Sequence, residues 1–404
     1  MSAAFEQAKA HFLAGLAAQK AGQPQQAVTH YQLSLVLLPG RASTLTNLGA
    51  VLVQLGRAAE ALPLLEQAQA AEPGQSESLL QQGLALAQLR QDEGAVDCLT
   101  RCAFDAGTPS AVWLELAACQ ARLGRLDAAL TCSEQATSRH SDDPQAWALQ
   151  GGLLKDLGRP QQAAHALRRA IALGADPDVN GFLLASIEGG DAPAQPPAGY
   201  VQGLFDAYAP SFEQHLLKHL NYSAHERVAG LLRRGLLVGP RSASAAALDL
   251  GCGTGLCGPL MRPLTPHLEG VDLSSAMLDQ ARARGVYDSL VQADIASHLH
   301  DTPQRFGLVA AADVFIYVGA LDAVFSGVGR VLMPGGLFAF SVELADDARD
   351  FELRSSSRYA QSQRYLLALA AQQGLRVLIS KQEPVRLDQQ QPVQGLYLLL
   401  QAPD

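Results

Sequence analysis

At 404 residues the chain has room for two domains of ordinary size. Its 39 acidic and 30 basic side chains leave a formal charge of −9, which argues against a nucleic-acid partner, because gripping a phosphate backbone takes clustered cations. No apolar run reaches the roughly 18 residues that span a bilayer, and the first residues lack a charged-then-apolar signal pattern. Six cysteines without a C-x-x-C pair fit a reducing compartment, so the expectation is a cytoplasmic protein with no membrane partner. Cys98 and Cys102 share a helical face, but two ligands do not make a metal site, and none is expected.

The first half is periodic. Ala27, Ala61, Ala95, Ala129 and Ala163 recur every 34 residues, and Gly15, Gly49, Gly83 and Gly151 keep the same spacing, with Ala117 standing in for glycine in the fourth unit. Gly22, Gly56, Gly124 and Gly158 mark a turn between two helices, where Arg90 is the exception. Trp113 and Trp147 take the large-residue position near each start, and Pro39 and Pro73 close the first two units. The pattern resembles the tetratricopeptide family, whose unit is a helix pair of this length stacked into a superhelix. Small residues let paired helices approach, while Tyr31, Leu65, Leu99 and Leu167 fill the gaps.

The resemblance implies a concave groove that holds a protein or peptide. By repeat register its lining includes Phe12, Leu16, Val53, Leu80, Leu84 and Leu114. Of the positions that clamp a terminal carboxylate in such grooves only Asn47 matches; Phe12, Leu16 and Gln81 do not, and Glu77 would repel the ligand. An apolar or mixed segment is therefore expected there, with packing on the second half of the chain or on a second subunit of a homodimer as the alternative. Five repeats plus a capping helix (Asn180 to Glu188) account for residues 1–188, a proline-stiffened linker for 189–199, and a second domain for 200–404.

The second domain begins with an aromatic segment from Tyr200 to His215, in which His215 and His219 fall one helical turn apart. Ala245 to Leu250 reads as a buried strand, and Gly251, Gly253 and Gly255 then turn the chain sharply into a helix. Gly270-Val271-Asp272 ends the next strand on a carboxylate, the usual acceptor for a ribose hydroxyl pair. Two nucleoside readings compete. Gly253 to Gly258 spells G-x-G-x-x-G, a dinucleotide fingerprint, but Asp249 so near the loop would repel a pyrophosphate. The other frame is Asp-x-Gly-x-Gly-x-Gly, starting at Asp249.

That frame resembles the first motif of the class I S-adenosylmethionine-dependent methyltransferases. Val271 to Leu278, Gln292 to Ile295, Phe306 to Val314 and Leu332 to Phe338 follow in the family's order, and Leu375 to Arg386 with Gln394 to Leu400 resemble its closing antiparallel pair. Gly307 departs from the acid often found there, a residue that orients loops. The resemblance implies a Rossmann-like α/β domain with a seven-stranded mixed sheet behind the all-α repeats. It implies S-adenosylmethionine as cofactor and S-adenosylhomocysteine as product. The implied cofactor contacts are Tyr208, Asp249, Gly251, Cys252, Gly253, Gly255, Asp272, Leu273, Met277, Asp294, Ile295 and Ala312.

Methyl transfer from a sulfonium is an in-line displacement. A carboxylate acceptor needs no base, whereas an amine must lose a proton. His215, Asp313 and Tyr317 are the candidate catalytic residues, and the stretch after the fourth strand lacks the Asn-Pro-Pro-Tyr pattern of amide methylation. Arg349, Arg354, Arg358 and Arg364 lie near Tyr359 and Tyr365; Arg358 and Tyr359 are candidates for gripping an acidic substrate, against the reading of a solvated helix face. The catalytic half is also similar to trans-aconitate and ubiquinone-biosynthesis methyltransferases. Three functions stay open: a methyltransferase whose repeats recruit a protein acceptor, a small-molecule carboxylate O- or N-methyltransferase whose repeats serve assembly, and an inactive scaffold, against which Asp249, Asp272 and Asp294 argue.

Overall fold

The computed structural model describes residues 3–102, 107–190, 192–209, 212–213, 216, 222–238, 246–388 and 391–404. Contacts divide the chain into two compact units, Met1–Asn180 and Gly181–Asp404.

The first unit is built of helix pairs at the spacing read from the sequence. Helix α1 (Ala3–Lys20) pairs with α2 (Pro24–Leu37), α3 (Ala42–Gln54) with α4 (Ala58–Ala71), and α5 (Ser76–Gln88) with α6 (Asp92–Cys102). Helices α7 (Ser110–Arg122) and α8 (Leu126–Arg139), then α9 (Pro144–Asp156) and α10 (Pro160–Ala172), complete the five pairs. The five alanines of the period are all fully buried. Gly22, Gly56, Gly124 and Gly158 adopt positive φ between the helices of a pair, and Arg90 is forced into the same conformation at φ 58°, which costs a non-glycine residue about 1–2 kcal/mol.

Close helix approach is set by a reciprocal fit. A Cβ added at Gly15, Gly49, Gly83 or Gly151 would stand 2.6 to 2.7 Å from the side chain of Tyr31, Leu65, Leu99 or Leu167. In the fourth unit the same spacing sets Ala117 opposite Ser133, both fully buried, and Ser133 Oγ donates to the Leu130 carbonyl at 2.8 Å. One partner grew by a methyl and the other shrank. Gly151→Ala is therefore expected to cost about 1–3 kcal/mol through overpacking against Leu167. Adding Leu167→Ser should give a double variant that loses less than the sum of the two single variants. Both tryptophans of the chain, Trp113 and Trp147, lie in this unit, so urea unfolding followed by tryptophan fluorescence reads it directly.

The expected groove lining is less open than its register suggests. Val53 is only 6% exposed and belongs to the core, while Phe12, Leu16 and Leu84 pack half-buried against that same cluster. Leu80 leans on the neighbouring cluster, and Leu114 is half-buried.

Helix α11 (Pro177–Glu188) carries the boundary between the units. Its N-terminus is capped by Asp176, whose Oδ1 accepts from the amides of Asp178 and Val179. Beyond Asn180 its contacts belong to the second unit: Phe182 packs 5.1 Å from Tyr200 and 6.1 Å from Tyr359, and Ser186 Oγ meets Ser357 Oγ at 3.2 Å. The stretch read from sequence as a linker is fastened as well. Tyr359 Oη donates to the Pro193 carbonyl at 2.8 Å, the Ala320 amide to Ala194 at 2.8 Å, and Arg349 to Gly190 at 2.7 Å.

The second unit continues through α12 (Ala198–Tyr208) and α13 (Ala224–Val238) into alternating strands and helices. These are β1 (Ala247–Leu250), α14 (Gly258–Met261), β2 (Leu268–Asp272), α15 (Ser275–Ala283), β3 (Ser289–Gln292), α16 (Ile295–Asp301), β4 (Phe306–Ala311), α17 (Asp322–Val331) and β5 (Leu332–Ala345). A hairpin of β6 (Phe351–Leu353) and β7 (Tyr359–Ser362), helix α18 (Gln363–Gln372), β8 (Arg376–Asp388) and β9 (Gln391–Gln401) follow. The main sheet runs β3-β2-β1-β4-β5-β9-β8, parallel from β3 to β5, with β9 antiparallel to both its neighbours. This is the seven-stranded mixed sheet expected. Strands β1 and β4 are buried along their whole length because helices cover both faces, which explains their unbroken apolar runs. Stacked and edge-on rings of Phe315, Phe325, Phe338 and Phe340 fill the layer behind β5, each fully buried ring stabilising the unit by about 1.5–3 kcal/mol.

The arginine-rich stretch departs from expectation. Residues 351–362 form a β-hairpin, not a solvated helix face: apolar Phe351 and Leu353 alternate with Glu352, and β7 adds in parallel to the end of β5 through Leu344↔Gln361 and Ala345↔Ser362. Ser357, at φ 59°, and the Arg354 amide donating to the Arg358 carbonyl close the turn. The hairpin thereby stands over the carboxyl ends of β4 and β5. In an open α/β sheet the crevice forms where the strand order reverses, here between β1 and β4.

Candidate active site

A cavity of about 560 Å³ opens at that reversal point. Its floor is the turn after β1, where Gly251, Gly253 and Gly255 have φ of 62°, 53° and 85°. The three glycines serve different ends. A Cβ at Gly251 would meet Val314 Cγ2 at 2.2 Å, so this glycine admits the loop after β4. At Gly253 the nearest atom to an added Cβ is Phe212 Cε1, 3.9 Å away, so the bare backbone faces open space that a side chain would fill. Gly255, expected on the cofactor, does not line the cavity; it packs against Tyr287, Arg284 and the Ala281 backbone.

Two acids, buried Asp249 and half-buried Asp272, stand beside the loop. Asp272 ends β2, with Oδ2 accepting from the Gly253 amide at 2.8 Å and Oδ1 from the Ser274 amide at 2.9 Å. Burial raises its pKa, and those amide bonds pull it back. Ser274 caps α15 through the Met277 amide and donates to Asp206 at 2.5 Å, tying helix α12 to this corner. Asp249 is almost fully enclosed, and burial pushes its carboxyl up to about 7, against the lowering effect of a 2.7 Å bond from Tyr287 Oη. Asp294 lies on the exposed rim and caps α16, its Oδ2 accepting from the Ser297 amide and hydroxyl. Leu273, Met277, Ile295, Cys252 and Ala312 line the same cavity, giving it apolar walls between the acids.

The opposite end is basic and braced. Asp313 has φ 57°, and its amide donates to Ser341 Oγ at 2.9 Å. Both its carboxylate oxygens accept from Arg386 Nη1 at 2.9 Å. Burial raises the Asp313 pKa, and Arg386 opposes that rise. Arg386 also donates to buried Glu343, which in turn accepts from Arg354 at 2.8 Å. Arg358, from the hairpin turn, lines the cavity with Asp313 and Arg386. Tyr317 lies there too, its ring edge-on to Phe205 with centroids 4.9 Å apart.

The structure thus gathers Asp249, Gly251, Cys252, Gly253, Asp272, Leu273, Met277, Asp294, Ile295, Ala312, Asp313, Tyr317 and Arg358 around one space. Tyr359 is a correction: it is fully buried away from the cavity, against Phe182 and Phe351, because a strand residue next to inward-facing Arg358 points to the other face. His215 and the side chain of Tyr208 lie outside the described residues, as does His219. Sequence reading missed Thr254, Tyr222, His225 and Arg386 as lining residues. Thr254 was legible within the glycine motif; the other three carry no local signal, since only the fold brings α13 and β8 to the cavity.

The lining fits a cationic nucleoside better than a dinucleotide. Asp249 and Asp272 flank the open backbone at Gly253, and the lining arginines stand at the other end, where a pyrophosphate over the loop could not use them. Residues 247–336 match the methyltransferase domain family. Over 113 residues the chain is 32% identical to trans-aconitate 2-methyltransferase of Paracidovorax citrulli, covering 28% of this chain and 43% of that protein. Over 158 residues it is 31% identical to malonyl-(acyl-carrier protein) O-methyltransferase of Enterobacter lignolyticus, 39% of this chain and 58% of that one. The solved 1,6-didemethyltoxoflavin-N1-methyltransferase of Burkholderia thailandensis is 18% identical with a TM-score of 0.42, covering 53% of this chain and 94% of that one. The chain spans about half the length of the curated relatives it matches. Residues 247–336 of the second unit thus match a methyltransferase domain, for which S-adenosylmethionine is the cofactor.

Proposed function

We propose that this chain transfers a methyl group from S-adenosylmethionine to an acceptor brought by, or contained in, a protein partner of the repeat unit. The carrying observation is a single cavity with the carboxylates of buried Asp249 and half-buried Asp272 beside bare Gly253 at one end and arginines at the other. Bound cofactor supplies a methyl group already activated on a sulfonium, so the protein has chiefly to align and dry the reactants. Alignment of that kind is worth about 7–11 kcal/mol of barrier. Asp272 would hold the ribose hydroxyls, Asp294 the adenine edge, and Leu273, Met277 and Ile295 the flat faces of the base. Phe205 and Tyr317 would exclude water above them. Six free, buried cysteines suit a cytoplasmic setting, and among the described residues no helix is long and apolar enough to cross a membrane.

A specific observation favours a carboxylate as the accepting group. Arg358 projects into the cavity, and Asp313, the nearest candidate base, is already engaged on both oxygens by Arg386. A carboxylate needs no base, and two relatives are named for acceptors that are acids. Full-length protein incubated with methyl-labelled cofactor and cell extract tests both readings. Label is expected in macromolecules and should be released as methanol by mild alkali, as a carboxyl ester would be. Alkali-stable label would remove the carboxylate reading, label confined to small metabolites would remove recruitment, and no label in any fraction would overturn methyl transfer itself.

A further inference from the structure

The acceptor end of the cavity is walled by a short turn. After β4 the chain makes one 3₁₀ turn, Phe315–Tyr317, and Ile316, Tyr317 and Val318 line the cavity. Such a turn has little to hold it from within. The Tyr317 amide reaches the Val314 carbonyl and the Val318 amide reaches Phe315, each at 3.0 Å. Its placement therefore depends on what stands behind it.

Behind it stands Gln361 of β7, which has no exposed surface. Its Nε2 donates to the Phe315 carbonyl at 3.1 Å and to the Val318 carbonyl at 2.7 Å, spending both amide hydrogens on the two ends of the turn. Its Oε1 accepts from no group among the described residues, so what the side chain contributes there is donation. The flanking backbone is held as well. Val314 rests on Gly251, and a Cβ on Gly319 would stand 2.6 Å from the Ala194 carbonyl oxygen and 2.7 Å from Tyr359 Cε1. Pinned on both sides, the turn sends the Tyr317 ring into the cavity, edge-on to Phe205. Arg358, just before the same strand, lines the cavity directly. One strand thus governs two polar groups of the acceptor end, Arg358 by its own position and Tyr317 through Gln361.

We infer that Gln361 is a positioning residue for methyl transfer, whose two amide donors set the turn that presents Tyr317 to the acceptor. The inference rests on the methyltransferase reading above. Gln361 itself touches neither cofactor nor acceptor. An apolar residue of the same length would supply neither carbonyl with a donor, and a carboxylate would repel both. The glycine loop and Asp272 lie at the other end of the cavity, so loss of these donors is felt by the acceptor and not by the nucleoside.

Two measurements on the full-length protein separate that role from a structural one. Calorimetry with S-adenosylhomocysteine reads the cofactor site. Methyl-labelled S-adenosylmethionine with increasing amounts of cell extract reads the acceptor, counted in whichever fraction the native protein labels. Gln361→Met keeps the length and removes both donors. It is expected to bind S-adenosylhomocysteine within about threefold of native, yet to need about 10- to 100-fold more extract for half-maximal labelling, as loss of two hydrogen bonds implies. Gln361→Glu adds a pH signature, because a neutral carboxyl donates once and a carboxylate not at all, and burial favours the neutral form. Its labelling rate relative to native should therefore rise about threefold or more from pH 8 to pH 6. Unchanged extract dependence in Gln361→Met would overturn the inference, as would equal weakening of cofactor binding and labelling, or a Gln361→Glu ratio flat with pH. Native protein that labels no fraction would overturn the methyltransferase reading and the inference with it.

Discussion

Asp272→Ala is expected to weaken S-adenosylhomocysteine binding by more than about a hundredfold, measured by calorimetry. The carboxylate already accepts the Gly253 and Ser274 amides, so it holds the loop and the start of α15 in place as well as presenting lone pairs to a ligand. Hydrogen bonds to a charged group are worth about 1.5–3 kcal/mol each, and a ribose offers two hydroxyls. Alanine removes those and also leaves the Gly253 and Ser274 amides without that acceptor. Asp272→Asn separates the effects, since an amide oxygen can still take one backbone donor but carries no charge. It should fall between the native protein and the alanine variant. Affinity within about threefold of native for Asp272→Ala would mean that the nucleoside lies elsewhere.

The ease of placing Asp272 from sequence, and the difficulty of placing His225 or Arg386, have one cause. Asp272 stands at the end of a buried strand a fixed distance after a glycine turn, and strand geometry alone sends it to the crevice. The 34-residue period is equally local, because each repeat packs mainly on its neighbour, and so Gly151 and Leu167 announce each other from 16 residues apart. Arg386 lies 73 residues beyond Asp313 and in a strand that reaches the site only through pairing with β9, information that no spacing carries. Hairpin 351–362 was misread for a related reason. Its charges sit at spacings that suit a helix face, and only the parallel addition to the end of β5 makes those residues alternate about a strand. Helix α11 shows the limit of periodic reasoning: an amphipathic helix after a last repeat is the right length for a cap, yet Phe182 is the residue that decides, and its partners Tyr200 and Tyr359 come later in the chain.

The ion network behind the acceptor end has the larger consequence for stability. Arg386→Met should destabilise the second unit by about 3–5 kcal/mol at neutral pH, because it strands Asp313 without its cation in a buried setting. Glu343 keeps Arg354 and suffers less. The deficit should depend on pH in a defined sense. Burial already raises the Asp313 pKa, and Arg386 is the chief group opposing it. Without the arginine the folded-state pKa climbs further above the unfolded value near 3.9. Between those two values the folded chain binds more protons than the unfolded one, so stability falls as pH rises through the window and recovers as pH drops toward the unfolded value. Chemical denaturation of native and variant protein at pH 5 and pH 8 should therefore show the gap narrowing at the acid end. Restoring neutrality by a second change, Asp313→Asn, should recover part of the loss, since removing a whole buried pair costs less than removing half of it. A gap that is flat with pH, or a double variant no better than Arg386→Met alone, would mean that Asp313 carries no uncompensated charge and that the network braces the cavity by packing only.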